Sequence, residues 1–226
     1  MSFREEKKSS SDLLMKVGKK DYATRNAVPG IRVYGEKLVS VNGEEYRVWD
    51  PHRSKLAAGF ANKLLLSLSP NYVVLYLGAS TGTTVSHIAD LVPKGFVFAI
   101  DSAPRVMREL LQLTKQRSNI APILANASHP TELASRLSMV DFMYQDIASK
   151  DQVRIFVECM KLFLEKNGTA ILCLKARSID VTAKPVVVFE RAAKELAAEV
   201  TVVQQLLLGA YYPDHCLFVC KHSRVH

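Results

Sequence analysis

Apolar and polar positions alternate along residues 32–50, RVYGEKLVSVNGEEYRVWD, on either side of Asn42-Gly43. A period of two is that of half-buried strands, and Asn-Gly is the dipeptide of a tight hairpin turn. This predicts a small antiparallel β unit over residues 21–50. The polar stretch 1–20 before it is expected to be frayed. At Pro51 the period changes. In PHRSKLAAGFANKLLLSL, residues 51–68, apolar residues recur at helical spacing and the proline suits a helix start. Strand-like and helix-like segments then take turns. NYVVLYLG, GFVFAID, NIAPILAN, MVDFMYQD and GTAILCLKA read as strands. TVSHIADLV, PRVMRELLQLTKQ, QVRIFVECMKLFL and AKPVVVFERAAKEL read as helices, with a shorter one near PTELASRL. Pro185 marks either the start of its helix or a kink in it. Two strands close the chain, VTVVQQLLLG and DHCLFVCKH, with only GAYYP between them.

Strands separated by helices pair in parallel and form a doubly wound, Rossmann-like sheet. The last two lack a crossover helix, so they pair antiparallel. The predicted fold is α/β: a seven-stranded, mostly parallel sheet with one antiparallel strand over residues 51–226, behind the small N-terminal β unit. That sheet is the arrangement of class I methyltransferases, whereas dinucleotide-binding domains usually stay parallel.

Composition narrows the picture. The 226 residues are 48% hydrophobic, enough for one large domain with a small appendage. Apolar runs break well short of the roughly 18 residues of a membrane span, so no membrane partner is expected. The N-terminus is charged and has no apolar signal region, which points to an intracellular protein. Four cysteines, Cys159, Cys173, Cys216 and Cys220, form no CxxC pair and read as buried free thiols. The net charge of +8 fits either a polyanion partner or a generally basic surface, and charge alone does not choose.

The candidate chemistry begins at VVLYLGASTGTTVSHIAD, a strand, a turn between Gly78 and Gly82, and a helix start. A P-loop needs a lysine after the second glycine, and Thr83 and Thr84 stand there. A dinucleotide fingerprint needs G-x-G-x-x-G, which is absent. What remains is a turn at Gly78-Ala79 that lets the backbone approach an adenosine-like ligand without a diphosphate. Asp101 ends the next strand, 23 positions after Gly78, close to the spacing at which an acid meets ribose hydroxyls. The ribose reading is the favoured one, with an N-cap for the helix that begins near Pro104 as the alternative. Asn126 and Asp146 end the following two strands, and Asn126 could meet an adenine edge. Four consecutive strand ends converge on one cleft. Adenosine without a diphosphate points to S-adenosyl-L-methionine.

Read together, WDPHRSKLAA, YLGASTGTTVSH, NASHP, MVDFMYQDIASKDQ and LKARSID resemble the fibrillarin family, RNA 2′-O-methyltransferases of box C/D guide ribonucleoprotein particles. The resemblance covers nearly all of residues 22–221, in order. It implies a catalytic set on Lys55, Asp146, Lys175 and His215. It implies cofactor contacts on Thr83, Thr84, Asp101, Ser102, Asn126, Ala127 and the run Asp146, Ile147, Ala148, Ser149. Asn126 stands where the family commonly has Asp, Ser149 where it has Gln, Lys150 where it has Pro, and Asp101 where Glu is frequent. The implied partners are a box C/D guide RNA, its target RNA, a coiled-coil scaffold protein and, through the assembly, a kink-turn-binding protein of the ribosomal type. The form without a Gly/Arg-rich tail resembles the archaeal version, and a cytoplasmic location is expected.

The implied reaction is in-line attack of a ribose 2′-oxygen on a sulfonium methyl, with no metal. The acceptor alcohol holds its proton at neutral pH, so alignment and help with that proton are what a site must supply. Lys55 and Lys175 are expected to face Asp146, with Lys175 on the 2′-oxygen, Asp146 orienting it and His215 completing the cluster. Either Asp146 or a lysine of lowered pKa takes the proton. His87 and His129 read as structural. Two other functions remain open: a small-molecule O-methyltransferase, whose catechol-type members use a metal on clustered carboxylates, and a non-catalytic subunit of an RNA particle.

Overall fold

A computed structural model describes residues 13–223. Four strands form an antiparallel N-terminal sheet: β1 (Leu14–Lys16), β2 (Tyr22–Arg25), β3 (Leu38–Val41) and β4 (Glu44–Trp49), in the order β1-β2-β4-β3. Val41 pairs with Glu44, so Asn42-Gly43 is a two-residue turn, and both residues have positive φ, 54° and 82°. That is the turn whose twist matches the strands it joins. The sheet begins earlier than the pattern suggests. Leu13 is buried, its carbonyl accepts from Arg25 N, and Leu14 to Lys16 pair with Thr24 to Tyr22. Burial of one leucine and a strand partner order a segment whose polar composition reads as frayed. Residues 1–12 of that stretch lie outside the described residues.

The helix expected over 51–68 is shorter. Helix α1 spans Lys55–Ala61, with Ser54 as N-cap accepting from Ala57 N. It ends because Lys63 takes a left-handed conformation, φ 70°, and the next amides fold back: Lys63 N donates to Phe60 O and Leu64 N to Gly59 O. Those two bonds satisfy carbonyls the helix would otherwise leave bare. The leucines after it bury individually, Leu64 and Leu68 inside, instead of extending a helical stripe.

The main sheet contains β5 (Val73–Leu77), β6 (Phe96–Asp101), β7 (Ile120–Leu124), β8 (Val140–Gln145), β9 (Leu164–Lys175), β10 (Val200–Leu207) and β11 (His215–His222). Its order is β10-β11-β9-β8-β5-β6-β7. Only β11 runs against its neighbours, on both sides. Between them lie α2 (Thr83–Leu91), α3 (Pro104–Thr114), α4 (Gln152–Phe163), a short α5 (Ala176–Ile179) and α6 (Pro185–Glu199). The segment near PTELASRL is a 3-10 turn over Pro130–Leu133. Pro185 sits in the first turn of α6, which settles it as a start. Among the described residues no helix is long and apolar enough to cross a membrane.

Alternation sends strand residues to two cores. Val74, Tyr76, Tyr144, Cys173, Leu217 and Val219 face one core, with α1 and α2. Leu75, Leu77, Met143, Cys216, Phe218 and Cys220 face the other, with α4 and α6. All four cysteines are buried and free. Gly59 lets α1 approach the sheet: a Cβ there would lie 2.5 Å from Leu217 Cδ1.

Charge inside the molecule joins the small sheet to the large one. Arg47 of β4 is fully buried and holds Glu36 (2.6 Å) and Asp90 of α2 (2.6 Å), and Arg117 reaches the same Asp90 (3.1 Å). His87 stacks on Trp49 with centroids 4.7 Å apart, and its two nitrogens meet Thr24 Oγ1 (2.7 Å) and Tyr34 OH (2.8 Å). It is a structural residue. His129 is an exposed turn residue before the 3-10 turn.

Candidate active site

The strand order turns back between β5 and β8, so the ends of β5, β6, β7 and β8 open on a common crevice. Crevices at such points are where open α/β sheets bind ligands. After β5 the chain turns at Gly78, φ 86°. A Cβ there would lie 2.2 Å from Asp146 O, so only glycine permits this approach of the turn to the loop after β8. Gly78 N and Ala79 N both donate to Ile100 O. Ser80 also has positive φ, 49°. Asp101 fixes this geometry: its Oδ2 accepts from Ser80 N (2.8 Å) and its Oδ1 from Ala103 N (2.9 Å). The N-cap position of α3 is Ala103, so Asp101 is not that cap. It ties the turn after β5 to the end of β6.

A cavity of about 320 Å³ lies here. Gly78 and Ser80 supply one wall, Asp101 and Ser102 the next, Asn126 and Ala127 the third, and the run from Asp146 to Ser149 the fourth. Ile100, Ala125 and Ser128 complete it. Ala79, Thr83 and Thr84, also expected at the cofactor, do not line it: Ala79 is buried, and the Thr84 hydroxyl is 2.9 Å from Ser54 Oγ. Asn126 Oδ1 accepts from Ser128 N, which leaves its amide NH₂ as the donor toward a ligand. The lining holds two carboxylates and neither lysine nor arginine. A diphosphate would find no cation there, whereas a cationic sulfonium beside an adenosine finds acids and amide groups. The residues present fit S-adenosyl-L-methionine. Asp101 would meet ribose hydroxyls, Asn126 and the neighbouring backbone the adenine, and the Asp146–Ser149 loop the remainder.

Beside the cavity, Lys55 Nζ lies 2.7 Å from Asp146 Oδ2, both side chains partly exposed. Burial alone would push the Lys55 ammonium down. The Asp146 charge and its hydrogen bond to the ammonium more than offset it, so its pKa lies above the ordinary lysine value. Lys55 is therefore held in its charged form. Its ammonium also sits over the Tyr212 ring, 5.7 Å from the centroid. Beneath the pair, Tyr76, Tyr144 and Cys173 are fully buried, and burial holds all three in their neutral forms.

His215 and Lys175 face each other across β11 and β9 in direct register. His215 Nδ1 lies 2.8 Å from Asp214 Oδ1, and its ring stands edge-on to Tyr212. Burial first, then the Lys55 charge, lowers its pKa below the usual histidine value despite Asp214. Lys175 is half-buried and enters no ion pair among the described residues. Of the two lysines expected to face Asp146, Lys55 forms the ion pair with it.

Two supporting side chains escape the sequence reading. Ser54 caps α1 and links it to Thr84 at the start of α2; a serine just before a helix is a visible N-cap signal. Gln152, at the start of α4, bonds the backbone of Ser149 and Lys175, and nothing in its local sequence distinguishes it from any helical glutamine. Asp141, the acid within β8, is far from this cluster, near the start of the strand. Its Oδ2 accepts from Val73 N at the opposite end of β8.

A seven-stranded sheet with one reversed strand, carrying a lysine-free, acid-lined cleft at its switch point, defines a class I S-adenosylmethionine-dependent methyltransferase. A family model described as Fibrillarin matches residues 4–224, and the chain belongs to the fibrillarin family. It is 44% identical over 206 residues to the fibrillarin-like rRNA/tRNA 2′-O-methyltransferase of Thermococcus onnurineus, covering 90% of this chain and 91% of that relative. The fibrillarin of Aeropyrum pernix, solved with natively bound S-adenosyl-L-methionine, superposes with a TM-score of 0.79 at 40% identity, over 88% of each chain. A fibrillarin/Nop5p complex superposes with a TM-score of 0.86 at 36% identity, over 94% of this chain and 98% of that one.

Proposed function

We propose that this protein transfers a methyl group from S-adenosyl-L-methionine to the 2′-hydroxyl of ribose in rRNA, and in tRNA where a guide selects it. The observation that carries the reading is the acid-lined, cation-free cavity opening beside a Lys55–Asp146 ion pair and the Lys175–His215 pair. The cofactor brings an already activated methyl. What the protein adds is alignment of the alcohol and charge control. Lys55, held protonated, fixes the Asp146 carboxylate at the edge of the cavity. Lys175 faces the 2′-oxygen and stabilises negative charge growing on it. Asp146 orients the hydroxyl and takes its proton. His215, neutral near pH 7, packs against Tyr212 and stands beside Lys175 in the neighbouring strand.

Target choice lies with base pairing to a box C/D guide RNA. The subunit docks through a coiled-coil scaffold of the Nop5p kind, itself joined to a kink-turn-binding protein, and works in the cytoplasm. The basic surface adds phosphate contacts, which position RNA without choosing sequence.

The test is methyl transfer from labelled cofactor, with the protein alone and then with scaffold, kink-turn protein, guide and matched target. A control target carries 2′-deoxyribose at the guided position. Label confined to the full assembly and lost on the deoxy target supports guided ribose methylation. Label that persists on the deoxy target places the chemistry on a base and defeats the reading. Lys175→Ala is expected to abolish transfer with cofactor affinity nearly unchanged; equal loss of both would remove Lys175 from its role.

A further inference from the structure

We infer that Gln152 is a positioning residue that locks the cofactor loop to the catalytic end of β9, so that Asp146 and Lys175 are held at one separation. The inference rests on the proposed roles of those two residues.

The Gln152 side chain is fully buried, and its amide is used completely across the gap. Nε2 donates to Ser149 O (2.7 Å) and to Lys175 O (3.1 Å), and Oε1 accepts from Lys175 N (2.9 Å). Ser149 closes the Asp146–Ser149 loop that walls the cavity, and Lys175 ends β9. A second glutamine supports the first. Gln145, directly before Asp146 and also fully buried, donates from Nε2 to Gln152 O (2.8 Å). Two amides therefore bridge the residue before Asp146, the loop after it and the backbone of Lys175.

The arrangement is specific to an amide. The bridge needs one acceptor and two donors in one plane, which among side chains of this length only glutamine supplies. Core packing alone would be met by an apolar residue with no polar group to satisfy. Lys175 has no salt bridge among the described residues to hold its position, whereas Lys55 is anchored by Asp146. The Gln152 bonds to its backbone N–H and C=O are what the strand end has instead, since its β11 neighbour across the sheet pairs from the other side. Because the same Nε2 also holds Ser149, displacement of the loop and displacement of Lys175 are coupled.

The experiment compares Gln152→Glu and Gln152→Met with the unsubstituted chain in the reconstituted guided assembly. Glutamate keeps the shape and the acceptor but loses both donor bonds. Methionine keeps the volume and loses all three. A displacement on the order of 1 Å at a reacting group costs about a hundredfold in rate, so kcat should fall about tenfold to a hundredfold in both. The KM for target RNA should stay near that of the unsubstituted chain, and the cofactor Kd should rise only severalfold. The pH profile separates positioning from packing. A buried carboxyl facing two carbonyl oxygens has a raised pKa and regains a donor when protonated. The kcat ratio of Gln152→Glu to the unsubstituted chain should therefore climb from about pH 8 to about pH 6, while the ratio for Gln152→Met stays flat. Folded variants with undiminished kcat, or a flat ratio for both, overturn the inference. No transfer by the unsubstituted assembly would instead strike at the proposed reaction itself. Should Gln152→Glu fail to fold, Gln145→Glu reads the same coupling one residue from Asp146, and an undiminished kcat there is equally contrary.

Discussion

At the residue scale, environment decides what each titratable group does. Lys55 and Lys175 are the same side chain with opposite situations. One is pinned in its charged form by Asp146, and the other stands at a strand end with no ion pair among the described residues. The histidines divide in the same way. His215 stands in the active-site cluster, whereas His87 is walled in between two sheets. Burial, with the Arg47 and Arg117 charges adding, holds the His87 pKa well below the ordinary histidine value. Its neutral ring therefore contributes stability that is full above the unfolded value, near 6.5, and is lost as pH falls below it. His87→Gln should cost most at about pH 7 and progressively less toward about pH 5. Urea unfolding at both pH values measures this, and a cost that grows on acidification would contradict the neutral ring.

At the element scale, the turn after β5 is the part least tolerant of change. Its glycine has a positive φ and no room for a methyl group beside Asp146 O. Gly78→Ala must either push the Asp146 loop away or abandon the turn, and each deforms the cavity. Cofactor affinity by calorimetry should fall about tenfold or more, consistent with the strain and contact energies involved. Affinity equal to that of the unsubstituted chain would mean the turn does not shape the site. The neighbouring elements show how much their edges depend on contacts the chain makes elsewhere. The Asn42-Gly43 hairpin was readable because two residues carry the whole signal. The end of α1 was not, because it depends on Lys63 accepting a left-handed backbone so that leucines 64 and 68 can bury separately. Strand β1 was unreadable for the same kind of reason: its order comes from β2 and from the pocket that takes Leu13.

At the scale of the whole molecule, a buried charge cluster fastens the N-terminal sheet to the methyltransferase domain. Glu36 gains amides from Val33 and Tyr34 besides Arg47, and these offset a burial cost that would otherwise raise its pKa. Removing one member strands the others in a medium of low polarity. Arg47→Met should lower unfolding free energy by about 3–5 kcal/mol. A loss under about 1 kcal/mol would show that Asp90 and Glu36 find water or other partners.

The sequence by itself determined the order of elements, the reversed final strand, the glycine turn and the acids at strand ends. Those features are written in local period, in punctuation by Gly and Pro, and in residue types that only a few backbone geometries accept. It also placed Lys55, Asp146, Lys175 and His215 in one set, through the resemblance of their surrounding motifs. Only the tertiary structure decided how that set is divided. Asp146 forms its ion pair with Lys55, Asp101 binds two backbone amides instead of capping α3, and the Thr84 hydroxyl meets Ser54. Gln152 becomes a bridge between segments more than twenty residues apart. The physical reason is common to all four. Hydrogen bonds and ion pairs act over about 3 Å, and which groups come that close is fixed by how the sheet brings distant strand ends together.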